Sequence, residues 1–391
     1  MAFWNRTPLA WKNLTSSPKK LLLVAGGVGF AVVLMFMQVG FRNALFDSPV
    51  QLVRMLDADL IIVSKARYNL PSEQRFDRSL VDRAATVQGV TDALPIYIER
   101  SIVELRVIGN PSRGIRVVGI PLRGHVFVDG ELDAKRRLLA DGRSALLDKN
   151  TKRPYGFTRE SVEKLREQDV ELSRKEIHMV DWVDVGTDFV HDGTLFVSDN
   201  AISDYFAFRG GGDPLSIVDL ALIQIEKDAD PKVVQRHLSQ LAPESVDVLT
   251  RAEIIEREIQ FWGTATPIGV IFTVGTIMGL VVGTIICYQI LFTDISEHIA
   301  EFATLKAMGY SPGYFFRLVL NQAFFLTILG FLPGFLVTLG LFSILGEVTG
   351  LVMLFTPSRI AFVFLLTLGM CVVSGILAVR KLWSADPASL F

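Results

Sequence analysis

The chain has 391 residues, of which half are hydrophobic, 20% are charged and 27 are Phe; its mean hydropathy is +0.39. That length holds about two ordinary domains, but the composition excludes a small soluble enzyme and a disordered scaffold, and the charged fraction disfavours a many-span carrier. Charge is segregated: residues 1–42 carry five basic and no acidic side chains, residues 259–391 carry five of each, and residues 43–258 hold 29 basic and 36 acidic ones, a net charge of −7.

Residues 1–20, with four basic and no acidic side chains, are expected to form a cytoplasmic N-terminal entry helix. The first apolar run, Leu21 to Phe41, lies between Lys20 and Arg42. Its 21 residues, at about 1.5 Å each, reach about 31 Å, the thickness of a hydrocarbon core. A long preamble and the lack of an A-x-A signal after Phe41 predict an uncleaved anchor, span 1, at 21–42.

The charged block 43–258 has no cysteine, which excludes thiolate metal sites there, and its acidity excludes a nucleic-acid partner. Asp57–Val63 reads as a strand. Asp77–Val87 reads as a helix, with Leu80, Val81, Ala84 and Val87 on one face. Strands follow around Asp92–Arg106 and Gly114–Ile120. The order recurs late in the block: strand Ile217–Ile225, helix Pro231–Leu241, strand Val246–Leu249. Two such pieces predict one α+β subdomain built from both ends of the block. An insert at about 122–215 would form a second subdomain, with strands near Ile177–Val183 and Thr194–Val197.

The segment HMVDWVDVGTDFVHDG gathers His178, Asp181, Asp184, Asp188, His191 and Asp192. Its spacing fits no metal motif, and the alternation in DWVDVG fits a half-exposed strand with its acids outward. His125 reads as structural. Gly210–Gly212 before Asp213-Pro214 reads as a loop, and no G-x-S-x-G elbow occurs. No catalytic residue and no metal ligand is expected.

Residues 252–266 are expected to run as a helix straight into span 2, a stiff stalk, with stalk and span together at 259–293 and the apolar core from Pro267 to Phe292. A loop follows at 294–317, then span 3 at 318–346, a short loop at 347–359, span 4 at 360–379 and a tail at 380–391. One span thus precedes the charged block and three follow it. The N-terminal tail, Lys306, Arg317, Arg380 and Lys381 put eight basic residues on one side, against Arg42 and Arg359 on the other. Both termini are therefore expected in the cytoplasm and the large block outside it. No span core contains Asp, Glu, Lys, Arg or His, unlike ion-driven carriers. Gly275, Gly279 and Gly283 form a smooth stripe on span 2, repeated by Gly330 and Gly334 on span 3 beside a kink expected at Pro333; such stripes mark close helix packing, in this chain or another.

The loop DISEHIAEFATLKAMGYSPGYFFR carries Ile295, Ile299, Phe302 and Leu305 at helical spacing, flanked by Glu297 and Glu301, with Gly309 as a stop and Pro312 beyond. It predicts a short amphipathic helix on the cytoplasmic side whose apolar stripe needs a lipid or protein partner.

The run EHIAEFATLKAMGYSPGYFFRLVLNQAFFLTILGFLPG resembles the permeases of the MacB/FtsX/LolCDE group of ABC transporters, the type VII permeases. Glu301, Leu305, Lys306, Ala307, Met308 and Gly309 occupy the group's acidic, apolar, basic-Ala-apolar-Gly pattern. The tail Ala385, Asp386, Pro387, Ala388 resembles its terminal D-P-A element, and PLAWKNL resembles its N-terminal helix. Phe302 and Asn321 depart from the pattern. Within the group, the lack of a fused ATPase resembles the DevC-type subunit of cyanobacterial glycolipid exporters.

The resemblance implies an α-helical membrane protein with four transmembrane helices, one plus three, and an α+β periplasmic domain of porter and Sabre-like subdomains. It implies a bacterial inner-membrane homodimer and mechanotransmission: a separate ATPase subunit would bind ATP and Mg, dock on Ile295, Ile299, Glu301, Leu305, Lys306, Met308 and Gly309, and drive the outer domain. The chain has no GK dipeptide, so it carries no Walker A loop of its own. Further partners implied are a periplasmic adaptor, or membrane fusion, protein and a TolC-like outer-membrane duct, with an amphiphilic substrate such as a glycolipid. Two other readings remain open: a lipoprotein-release permease, and an FtsX-like regulator of a cell-wall hydrolase.

Overall fold

The computed structural model describes residues 18–100, 103–186, 190–349, 353 and 355–384. The PLAWKNL segment, Asp188 and the Ala385–Ala388 element lie outside the described residues. Two compact units form. One holds residues 18–43, 267–344 and the described residues from 353 on; the other holds 44–266 and 345–349.

The chain begins with a long helix, α1 (Pro18–Asp47), followed by the short α2 (Gln51–Met55). Strands β1 (Leu60–Ser64), β2 (Phe76–Asp77), helix α3 (Ser79–Ala84) and β3 (Val90–Glu99) come next. Then follow β4 (Glu104–Val107), β5 (Arg113–Gly114), β6 (Arg116–Ile120), β7 (Ser144–Asp148), β8 (Val170–Leu172), β9 (Lys175–Val183) and β10 (Thr194–Ser198). The unit closes with α4 (Asp199–Tyr205), β11 (Ile217–Val218), β12 (Leu220–Ile225), α5 (Pro231–Leu241), β13 (Val246–Thr250) and α6 (Arg251–Gln260).

Eleven of these strands join in one order, β13-β1-β12-β3-β6-β10-β7-β9-β8-β4-β5. The two ends of the block meet here: β1 pairs antiparallel with β12 on one side and β13 on the other. The strands of the expected insert, about 122–215, continue the same hydrogen-bonded order instead of standing apart, because β10 pairs parallel with β6 from Thr194↔Arg116 to Ser198↔Ile120. Strands β1, β6, β7 and β10 are buried along their whole length. Period-two alternation still sorts their side chains: Leu60 and Ile62 enter one apolar cluster with Tyr97, Phe206 and Leu238, and Ile61 and Val63 enter another with Phe127, Phe196 and Ile254. Helix α5 starts where its chemistry dictates, with Asp230 capping the Lys232 N–H and Pro231 at the first position.

The expected straight stalk is corrected. Helix α6 ends at Gln260, a wide π-helical turn covers Phe261–Ala265, and Thr266 is extended (φ −117°, ψ 148°). Pro267 is the reason: it lacks an N–H and its ring disfavours helical backbone at the residue before it.

The other unit is helical. Besides α1 it contains α7 (Pro267–Glu297), α8 (Ile299–Ala307), α9 (Pro312–Thr349) and α10 (Pro357–Ser384). Four of these helices, α1, α7, α9 and α10, are long and apolar enough to cross a membrane. Helix α9 continues through Pro333 and begins at Pro312, before the expected start of span 3 at 318. Helix α7 runs past the expected end of span 2 to Glu297, so the connection to α9 is shorter than the 294–317 loop read from sequence.

Packing in this unit follows glycine and phenylalanine. A Cβ on Gly334 would lie 2.8 Å from the Gly29 carbonyl oxygen, and one on Gly283 would lie 2.9 Å from the Ala31 Cβ and 2.5 Å from the Met370 Sδ. Gly330 abuts Val28, Gly279 abuts Met35, and Gly275 faces the Gln38 amide. Both predicted stripes therefore close on α1 of the same chain. Phe36 sits among Phe331, Phe335 and Phe355, and Phe355 stacks on Phe342 at 4.6 Å. Cys287 and Cys371, both fully buried, bring their Sγ atoms to 3.5 Å.

Candidate coupling loop and stalk

The loop helix is two pieces, not one. Ile295 belongs to the last turn of α7, where it is buried. The helix breaks at His298, and α8 begins at Ile299. Ile299 and Leu305 are half-buried, and Leu305 packs against the apolar cluster of the helical unit. Glu301 and Met308 are exposed, Met308 by 63%. The side chains of Phe302, Lys306 and Ala307 lie outside the described residues. Gly309 ends the helix in left-handed backbone (φ +89°), and the Tyr310 N–H returns to the Leu305 carbonyl at 3.2 Å, a Schellman stop.

Two residues of this surface escaped the sequence reading. Tyr310 and Tyr314, 45% and 38% exposed, place their rings 4.8 Å apart beside Met308 in the chain. Their i, i+4 spacing was the available signal. Asp294 escaped as well. It reads as the edge of span 2, yet its side chain is buried and accepts the Gln322 Nε2–H at 3.0 Å from α9, with His298 one turn on. An ionisable group buried between membrane helices is a mark of function or of fixed helix pairing.

In the other unit a second constellation starts at the stalk. Thr250 caps α6, and Glu253 returns the bond to the Thr250 N–H, a full capping box. This holds Glu253 below the usual carboxylate range, first through the Thr250 backbone bond. Glu258, almost wholly buried, accepts the Leu70 N–H at 2.7 Å and the Trp262 indole N–H at 2.8 Å. Burial pushes its carboxyl up, opposed by those two bonds.

Leu70 lies in the loop between β1 and β2, and the same loop carries Arg67. Arg67 donates to the Leu70 carbonyl at 2.8 Å, to the Gln74 carbonyl, and to Asp219 at 2.6 Å. Asp219 also accepts the Ile98 N–H at 2.8 Å and Arg209 at 3.0 Å. Arg209 pairs with Glu99, which Arg75 meets at 2.5 Å, and lies over the Tyr97 ring. Burial pushes Glu99 up, opposed by Arg209 and Arg75, and pushes Tyr97 up to about 12. Polar bonds thus run without a gap from Trp262 in the wide turn to the start of β12 and the end of β3.

The His and Asp segment is dispersed among separate partners. Asp181 meets Lys135 at 3.1 Å, Asp184 meets Lys149 at 2.5 Å, and Asp192 meets Lys152 at 2.5 Å. His178 sits on β9, and the His191 Nδ1 lies 3.4 Å from Arg116. Among the described residues no three His, Cys, Asp or Glu side chains are placed to hold a metal ion. His125 contacts Asp133 at 3.2 Å. Gly210 and Gly211 take left-handed backbone in the turn before Asp213.

No curated protein sequence matches this chain. About half of it is similar to the periplasmic region of MacB from Actinobacillus actinomycetemcomitans, at 14% identity and a TM-score of 0.35, covering 50% of this chain and 90% of that one. It is also similar to the extracellular domain of the noncanonic ABC-type transporter YknZ from Gram-positive bacteria, at 13% identity and a TM-score of 0.32, covering 49% and 99%. Residues 262–387, which contain α7, α8, α9 and α10, match the family described as FtsX-like permease C-terminal.

Proposed function

We propose that this chain is the membrane-spanning permease subunit of an ABC transporter and that it works by transmitting motion. The match of residues 262–387 to FtsX-like permeases is the observation that carries the reading. The loop helix α8 between two long apolar helices supports it, with Met308, Tyr310 and Tyr314 exposed. In this reading ATP and Mg²⁺ bind on a separate ATPase subunit. That subunit docks on Ile299, Glu301, Leu305, Lys306, Met308 and Gly309, and Ile295 anchors the site from the end of α7.

Topology follows the basic residues: one span, then the outer unit outside the cytoplasm, then three spans, with both termini on the cytoplasmic side of the inner membrane of a bacterium. The stalk passes displacement of α7 to the sheet, and two copies of the chain make the working unit. A periplasmic adaptor and a TolC-like duct would complete a tripartite exporter of an amphiphile, a glycolipid in the DevC-type version. The mostly apolar span interiors support transmission over passage of a polar substrate.

Gentle purification from native membranes followed by mass spectrometry tests this. An ATPase with an adaptor and a duct protein is the expected result. An ATPase with a soluble lipoprotein carrier or a cell-wall hydrolase would keep the permease and replace the exporter. Glu301→Arg with Leu305→Asp should leave the chain inserted and abolish its control of the ATPase; unchanged control would remove the docking site from α8.

A further inference from the structure

The loop between β1 and β2, residues 65–75, is held from two sides. On the sheet side Arg67, 1% exposed, bonds Asp219 at 2.6 Å. On the stalk side the Leu70 N–H reaches Glu258, and Arg257 donates to the Arg67 carbonyl at 3.4 Å. The second oxygen of Glu258 takes the Trp262 indole N–H. A buried carboxylate is costly unless its oxygens are occupied. Here one occupant comes from a loop 188 residues earlier in the chain and the other from the wide turn.

The wide turn is built differently. Phe261–Ala265 contains no buried residue. The Thr264 and Thr266 hydroxyls, each at 2.7 Å, bond the carbonyls of Gln260 and Trp262 in the stretch where the helical ladder ends before Pro267. Few buried contacts mark the end of a structure that yields first. π-helical turns of this kind occur often at functional sites.

We propose that Glu258 is a positioning residue that clamps the 65–75 loop to the end of the stalk helix. Stalk helix, loop and the buried Arg67–Asp219 pair then move as one piece, while the wide turn bends as displacement arriving at Pro267 passes through it to that piece. This rests on the transmission reading, but the clamp can be measured without any partner. The charged groups facing Glu258 are Arg257 on its own helix and Arg67 on the loop. Protonation would replace an accepting oxygen with a donating hydroxyl opposite two donors, so acidification loosens the clamp.

Hydrogen exchange read by mass spectrometry on the full chain in lipid nanodiscs tests it. Segment 68–72 is expected to be protected, and Glu258→Ala to lower that protection about tenfold or more, the size of a lost bond to a charged group. Strands Leu60–Ser64 and Leu220–Ile225 should stay protected, and Trp262→Phe should leave 68–72 unchanged. Lowering the pH should reduce protection of 68–72 in the natural chain and not in Glu258→Gln. Should Glu258→Ala also open the strands, Glu258→Gln carries the test, with loss confined to 68–72 and 261–265. Unchanged protection at 68–72 in the folded variant, or an equal pH response in Glu258→Gln, overturns the clamp. A non-hydrolysable ATP analogue added to the purified complex should alter 261–266 alone in the natural chain and both segments in Glu258→Gln. Absence of any ATPase in the purified material sinks the transporter reading and leaves the clamp standing. An ATPase whose nucleotide moves both segments alike in both proteins does the reverse.

Discussion

Arg67 and Asp219 lie 152 residues apart in the chain and meet at 2.6 Å with neither side chain in water. Burial pushes the Arg67 guanidinium down, and Asp219 opposes it. Removing one partner of such a pair leaves an uncompensated buried charge, at about 3–5 kcal/mol. Arg67→Met and Asp219→Asn should each lower the stability of the sheet-bearing unit by that order. Urea unfolding of the full chain in detergent, followed by circular dichroism, measures it. A loss below about 1 kcal/mol would mean that water reaches the pair.

The glycine contacts predict an ordered series. Gly334→Ala pushes a methyl against the Gly29 carbonyl, a backbone atom that cannot rotate away. Overpacking of this kind costs about 1–3 kcal/mol. Gly275→Ala meets only the end of the Gln38 side chain, and Gly340→Ala meets nothing within 4 Å. Thermal unfolding in detergent should rank them, with Gly334→Ala lowest and Gly340→Ala at or above the natural chain. A reversed order would refute the packing of α9 on α1.

Cys287 and Cys371 should behave as one unit. Both are buried, so water-soluble maleimides should label neither in the folded chain and both after denaturation. Iodine, which partitions into membranes and accepts two electrons, should convert them to an intrachain disulfide with loss of two protons. Mass spectrometry would show a loss of two hydrogens in a monomer. Disulfide-linked dimers instead would place the thiols on an outer face.

Acid stability should depend on Asp133. Burial alone would raise its carboxyl, but the Arg136 guanidinium and the N–H groups of Val126 and Phe127 outweigh burial and hold it below the usual range. A lowered folded value adds stability above the unfolded carboxyl value of about 3.9, lost as pH falls through the folded value. Asp133→Asn should therefore flatten the acid limb of a stability–pH curve and lower its plateau near neutrality. An unchanged acid limb would assign acid unfolding to other groups.

Thr250→Ala should cost about 1 kcal/mol by removing the stalk helix cap. The pair Thr250→Ala with Glu253→Ala should cost less than the sum of the two singles, since each removes half of one reciprocal box. A double-mutant cycle on thermal unfolding gives the coupling, and strict additivity would deny the box.

Much of this was legible along the chain. Apolar runs marked four long helices because length and hydropathy are local quantities. The Pro231–Leu241 helix was legible to its ends because Asp230, Pro231 and the apolar spacing all act within a turn. The glycine stripes were visible, and their partner was not. The Asp294–Gln322 bond joins residues 28 apart, and a boundary reading treats any charge as an edge. The stalk departs from a straight helix because Pro267 breaks the backbone ladder between α6 and α7.

The sequence by itself determined which segments avoid water, where the charge lies, where the loop helix stops at Gly309, and the pattern around Lys306 to Gly309 that resembles a known permease family. These are properties of neighbours in the chain, governed by hydrophobic transfer and backbone sterics. Only the tertiary structure decided that one sheet order runs through the whole charged block. It also decided that Gly283 and Gly334 close on α1, and that Glu258, Leu70, Arg67 and Asp219 form one polar path. Those outcomes depend on which distant groups can satisfy one another once both are buried, a condition no local pattern encodes.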